Sequence, residues 1–186
     1  MGIIEIVFIA LGLAMDAFAV SICKGLALGE LKLKQYLIVG AWFGVFQALM
    51  PLTGYLLGTT FSAHIQKFDH WIAFILLSLI GANMIKEALS PEACDSNAAS
   101  LGIVTMFMLA VATSIDALAV GVTFAFYDVN ILLSIFIIGI ITFVIAGLGM
   151  KIGNIFGTRY RQKAEITGGA ILIILGLKLL AEGLLI

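Results

Sequence analysis

Two aspartates stand inside long apolar runs. Asp16 lies in Met15-Asp-Ala-Phe-Ala-Val20 and Asp116 in Ile115-Asp-Ala-Leu-Ala-Val120, with four of six positions identical at a separation of 100. An ionised side chain at mid-bilayer costs about 2.5–3.5 kcal/mol on insertion scales. Two at matching positions therefore point to a purpose: a pair of ligands, or of proton carriers, facing one cavity. The competing reading is a neutral, protonated aspartic acid hydrogen-bonded to a neighbouring helix. The pairing favours the first.

Further polar groups are candidates around them. Asn83 and Glu87 are four apart and share a helix face, and Lys178 and Glu182 hold the matching positions near the C-terminus. Glu87 and Glu182 read equally well as ligands or as interfacial groups reaching water. Lys178 pairs with Glu182 or opposes a buried carboxylate, and pairing is the expectation. Thr113 sits one turn before Asp116, where its hydroxyl is either a neutral ligand or, more commonly, a donor to a backbone carbonyl. Gln47 falls in an apolar run without an assigned role. Glu5, Asp69, Asp128 and Glu165 read as solvated, and His64 and His70 as interfacial.

The donor set is all oxygen: Asp16, Asp116, Asn83, Glu87, Thr113 and Glu182. No Cys or His lies deep in an apolar run. Such a set suits Mg, Ca or Mn, whereas Zn and Cu favour nitrogen and sulfur. Two carboxylates neutralise a divalent cation and repel an anion. Metal affinity is linked to ligand protonation, so the same acids suit exchange of a cation for protons. No GxxxxGK[ST] motif occurs, which removes ATP hydrolysis by the P-loop route. No HExxH or GxSxG arrangement occurs, so a membrane enzyme is poorly supported. A scaffold would not explain two symmetric acids.

The elements that carry these residues follow from composition. Of 186 residues, 62% are hydrophobic and 11% charged, against about 45–50% and 25% in soluble domains. Mean hydropathy is +1.19. A membrane-spanning helix needs roughly 20 mainly apolar residues, and six segments qualify: Ile3–Cys23, Tyr36–Gly58, His70–Ala88, Leu101–Phe126, Ile131–Met150 and Ile166–Leu185. The expected fold is an all-α integral membrane protein of six transmembrane helices embedded in the lipid bilayer. The basic residues are too few and dispersed for a nucleic-acid face. The N-terminus lacks the basic region of a cleavable signal peptide. Cys23 and Cys94 have no metal or redox spacing and read as isolated reduced thiols.

Lys24, Lys32, Lys34, Lys86, Lys151, Arg159, Arg161 and Lys163 fall on one side of these spans, and only Lys67 among the loops on the other. The positive-inside rule makes the first side cytoplasmic and places both termini outside.

The aspartate motif is one part of a longer repeat. Gly40, Gly54 and Gly58 align with Gly139, Gly153 and Gly157 at a separation of 99, and Gly81 and Glu87 with Gly176 and Glu182 at 95. The expected organisation is a single transmembrane domain over 1–186, with repeat one at 1–90, a linking loop at 91–100 and repeat two at 101–186. Each repeat has three spans, so the second copy must enter the membrane from the opposite side. Two inverted three-helix repeats place a site at their interface near the midplane. Glycines four apart suit close helix packing.

Gly12-Leu-Ala-Met-Asp-Ala-Phe-Ala-Val-Ser21, paired with Ala112-Thr-Ser-Ile-Asp-Ala-Leu-Ala-Val-Gly121, resembles the MntP-type manganese efflux pumps of the lysine-exporter superfamily. The resemblance covers nearly the whole chain. It implies export of Mn(II) across the bacterial cytoplasmic (inner) membrane. Manganese is then the transported substrate, no cofactor is needed, and protons are the candidate counter-ion. It carries the motif aspartates onto Asp16 and Asp116, and polar residues of the third and sixth spans onto Asn83, Glu87 and Glu182. Lys178 takes the place matching Asn83, which makes the half-sites unlike. The superfamily keeps another divalent cation or a cationic amino acid as the alternative cargo. Monomer and homodimer both remain open.

Overall fold

The computed structural model describes residues 2–29, 31–61, 69–89, 99–127, 129–156 and 161–184. They form seven helices: α1 (Ile3–Leu28), α2 (Leu33–Phe61), α3 (Asp69–Ala88), α4 (Ile103–Ala112), α5 (Ile115–Phe124), α6 (Ile131–Phe156) and α7 (Arg161–Leu184). Continuous apolar runs can span lipid only as helices or closed barrels, because every backbone polar group needs a partner there. Local signals set the ends. The Glu5 carboxylate accepts from the Gly2 amide at 2.9 Å and caps α1, which stops at Gly29 with φ +65°, a conformation open to glycine. Gln35 accepts from the Lys32 amide at the start of α2. The Asn130 side chain accepts from the Leu133 amide and caps α6.

Helices α1, α2 (through Thr60) and α6 are each long and apolar enough to cross a membrane. The α4–α5 pair adds a fourth candidate, bent by 45°. Among the described residues three helices meet that standard, or four with the α4–α5 pair as one span, and α3 and α7 stand at the third and sixth segments expected from sequence. The fourth span, expected as one helix, is broken at Thr113–Ser114. Neither proline nor glycine causes it. The hydroxyls do: Ser114 Oγ donates to the Ala110 carbonyl at 2.6 Å and Thr113 Oγ1 to the Leu109 carbonyl at 3.0 Å. The Ser114 amide turns instead to Val111, three residues back. Side-chain donors have displaced the regular ladder.

Glycine carries the packing between helices. A Cβ on Gly153 of α6 would overlap the Ile22 carbonyl of α1, and one on Gly25 of α1 the Met150 carbonyl of α6. In the same way Gly54 of α2 abuts Leu118 of α5, and Gly121 of α5 abuts Pro51 of α2. Gly44 of α2 meets Gly139 of α6, and Gly81 of α3 meets Gly169 of α7. These are backbone-to-backbone approaches of the small-residue kind that holds membrane helices together. The paired positions run in the same sense for α1 with α6 and for α2 with α5. They run in opposite senses for α2 with α6, α3 with α7 and α1 with α7.

The outer surface is apolar. Leu132, Phe136, Ile140, Val144 and Leu148 form an exposed stripe along α6. In water so large a patch would drive association; against lipid it is a matched surface. Together with the helix lengths, it fits a multi-pass membrane protein.

Two residues differ from the sequence reading. Lys24, expected in a cytoplasmic loop, lies within α1 and is fully buried, with Nζ donating to the Ser100 carbonyl at 2.7 Å. The helix continues five residues past Cys23 because nothing stops it before Gly29. Cys23, expected as a free thiol, is disulfide-bonded. Cys94, the other cysteine in the chain, lies outside the described residues, as do most of the linking loop at 91–100 and the Arg159 end of the basic cluster.

Candidate cation site at the break between α4 and α5

Asp116 occupies the first turn of α5, immediately after the break. Its position follows from the break: unpaired amides at a helix start favour a carboxylate. Oδ1 accepts from the Ala117 amide at 2.7 Å. Oδ2 is sealed from solvent and has no hydrogen-bond partner. A buried carboxylate oxygen left without a donor is rare, because the loss is costly. Its neighbours are the Gln47 side chain and, in electrostatic range, Asp16. Asp16 is half-buried on α1 between Leu13, Ala14 and Ala17, all fully buried. The two motif aspartates, 100 residues apart in sequence, are thus brought within electrostatic range of each other.

Neutral oxygens surround the pair. The Ser114 hydroxyl donates to Gln47 Oε1 at 3.0 Å, and Gln47 Nε2 donates to the Leu13 carbonyl at 3.2 Å. Thr113 is buried and its hydroxyl donates to the Leu109 and Ala110 carbonyls, which leaves the oxygen lone pairs as its remaining ligating capacity. Gln47 and Ser114 are fully buried. Sequence reasoning assigned neither a role. The available signal was a glutamine and a serine deep in apolar runs, with Ser114 two residues before the motif aspartate.

The other expected ligands divide differently. Asn83 and Glu87 lie on α3 and Glu182 on α7, but their side chains lie outside the described residues. No group of three or more His, Cys, Asp or Glu side chains placed to hold a metal occurs among the described residues. The described acids at this point are two, with amide and hydroxyl oxygens beside them. That set offers two carboxyl groups and hard donors only, which suits a hard divalent ion.

Lys178 pairs with Glu5 of α1, while Glu182, its expected partner, has its side chain outside the described residues; Glu5, expected to be solvated, is 17% exposed there. Antiparallel packing of α1 on α7 brings the start of one helix to the end of the other, which sequence separation hid. Lys178 is 48% exposed, so this peripheral pair should contribute little. Glu5→Gln should lower unfolding free energy by at most about 1 kcal/mol, measured by thermal unfolding in detergent.

Residues 30–180 match the family model described as "Putative manganese efflux pump". Several relatives align along nearly their whole length. A Campylobacter jejuni protein (strain 81-176) is 60% identical over 184 residues, covering 99% of this chain and 98% of its own. One from Desulfitobacterium hafniense is 55% identical over 99% and 97%, and one from Mannheimia succiniciproducens 52% over 98% and 97%. All three are named "Putative manganese efflux pump MntP". No solved structure matches the chain. With a motif aspartate at the helix break, the other in electrostatic range of it, and the likeness running end to end, the chain belongs to the MntP manganese efflux pump family.

Proposed function

We propose that the protein exports Mn(II) from the cytoplasm as a secondary transporter, binding the ion between Asp16 and Asp116 and exchanging it for protons. One observation carries the reading of the site: the sealed Asp116 carboxylate, whose Oδ2 lacks a well-formed hydrogen bond, lies in electrostatic range of Asp16. A carboxylate oxygen so poorly served is what a cation would complete. The family's name supplies manganese and the direction. Thr113 stands next in line as a neutral ligand, and Asn83, Glu87 and Glu182 belong to helices α3 and α7 that flank the site.

Proton exchange follows from ligand chemistry. A carboxylate pair must lose protons to bind the metal and regains them when the metal leaves. No nucleotide motif supplies another energy source.

The inverted-repeat reading draws support from the packing pattern. If α4–α5 counts as one span, the first span on the fifth mirrors the fourth on the second. Both pairs use glycines that the repeat aligns, Gly153 and Gly54. The parallel and antiparallel senses of these pairs are those that alternate crossing demands. We place both termini outside from the lysine and arginine bias. The disulfide at Cys23 leans the other way, since disulfides are rare in the cytoplasm. Even without the buried Lys24, the basic excess is seven to one; it acts directly on insertion and outweighs a single cysteine.

The test is transport in proteoliposomes. Mn(II) flux should rise with an opposing pH gradient and move protons the other way, while lysine should not be carried. Manganese flux indifferent to pH would remove the coupling. Lysine flux with no manganese flux would replace the substrate.

A further inference from the structure

Gln47 holds a position that the carboxylate pair alone does not explain. It lies in the middle of α2, fully buried, and its one amide group touches both halves of the chain. Nε2 donates to the Leu13 carbonyl of α1, three residues before Asp16. Oε1 accepts from Ser114 Oγ, two residues before Asp116. Nε2 carries a second hydrogen, and the Gln47 side chain lies beside the Asp116 carboxylate. Pro51, four residues on, has no amide to return to the Gln47 backbone carbonyl. The regular ladder of α2 is therefore interrupted at this residue.

These contacts decide what the side chain can do. Its carbonyl oxygen is taken up by Ser114, so the amide presents N–H rather than oxygen toward the carboxylates. A donor repels a cation and attracts a carboxylate. Gln47 is thus placed to orient the acids and not to ligate. A planar amide also has a fixed width. Bonded at one end to the turn before Asp16 and at the other to the helix break before Asp116, it sets the spacing of the two acids. The Ser114 hydroxyl is the link, because its single hydrogen is shared between Gln47 Oε1 and the Ala110 carbonyl and so ties the amide to the geometry of the break.

We propose that Gln47, acting through Ser114, is the positioning residue that fixes the separation of Asp16 and Asp116 for the cation. The inference rests on the reading of those aspartates as the binding pair. Outer-shell partners of metal ligands typically change metal affinity about 10–100-fold when removed. Gln47→Met keeps the volume and removes both hydrogen bonds. Ser114→Ala removes only the link.

The experiment measures Mn(II) transport kinetics in proteoliposomes for the wild type, Gln47→Met, Ser114→Ala, the double variant and Asp116→Asn. Gln47→Met should raise the Mn(II) KM about 10-fold or more with kcat changed less. Ser114→Ala should raise it in the same sense, and the double variant should be no worse than Gln47→Met alone, since both act through one bond. An unchanged KM in Gln47→Met, with Asp116→Asn inactive, overturns the positioning role and leaves the binding pair intact. Additive effects of Gln47→Met and Ser114→Ala would also overturn it. Asp116→Asn transporting like the wild type overturns the binding pair itself.

Discussion

Cells that make the Asp116→Asn variant at normal levels should fail to expel manganese, with export reduced at least about 100-fold. The magnitude follows from ligand loss: outer-shell partners alone are worth about 10–100-fold in metal affinity, and a charged ligand should count for no less. The expectation is sharp because the fold does not need the charge. Oδ2 makes no well-formed hydrogen bond, and Oδ1 accepts from the adjacent Ala117 amide at 2.7 Å. An asparagine oxygen can take that same bond. The substitution removes the anion while keeping the shape, so loss of transport would not be loss of structure. Asp16→Asn should behave alike, by the symmetry of the motif. Intracellular manganese after a Mn(II) challenge is the readout, with membrane protein levels measured beside it.

Gly153→Ala should have the largest effect on assembly. Its added methyl would meet the backbone carbonyl, carbon and Cα of Ile22. A flexible side chain can turn away; a helix backbone cannot, so α1 and α6 must separate. Overpacking typically costs about 1–3 kcal/mol, occasionally more, and a rigid partner places this case at the upper end. Gly147→Ala on the same helix is the control. Nothing lies within 4 Å of its would-be Cβ, and exchanging glycine for alanine in a helix gains about 0.5–1 kcal/mol. Thermal unfolding in detergent should therefore move down for Gly153→Ala and stay or move up for Gly147→Ala. Equal shifts would mean that α1 and α6 do not meet at this point.

Much of this was legible in the chain. Apolar runs located the helices, whose starts mostly fall within a few residues of those read from composition. The glycines four apart marked backbone contacts, and Asp16 and Asp116 stood out because charge is expensive among such neighbours. Other features depend on three-dimensional neighbours and left little trace. The break at Thr113–Ser114 arises from hydroxyls bonding their own helix, and threonine or serine in an apolar run does so without always breaking it. Gln47 acquires its place from Leu13 and Ser114, 34 and 67 residues away. Lys24 was counted with a loop because it is charged, yet the helix runs past it and the Ser100 carbonyl receives it. Glu5 and Lys178 meet across 173 residues only because α1 and α7 are antiparallel. Long-range polar pairing has no periodicity, so patterns along the chain do not announce it.

In the proposed mechanism one divalent cation sits between Asp16 and Asp116. Equilibrium binding of Mn(II) to the purified protein in detergent, followed by the loss of free Mn(II) signal in electron paramagnetic resonance, tests it most directly. The wild type should remove Mn(II) from solution, and Asp16→Asn and Asp116→Asn should each abolish that uptake while remaining folded. Undiminished Mn(II) binding by either folded variant would mean that the cation does not sit between these aspartates.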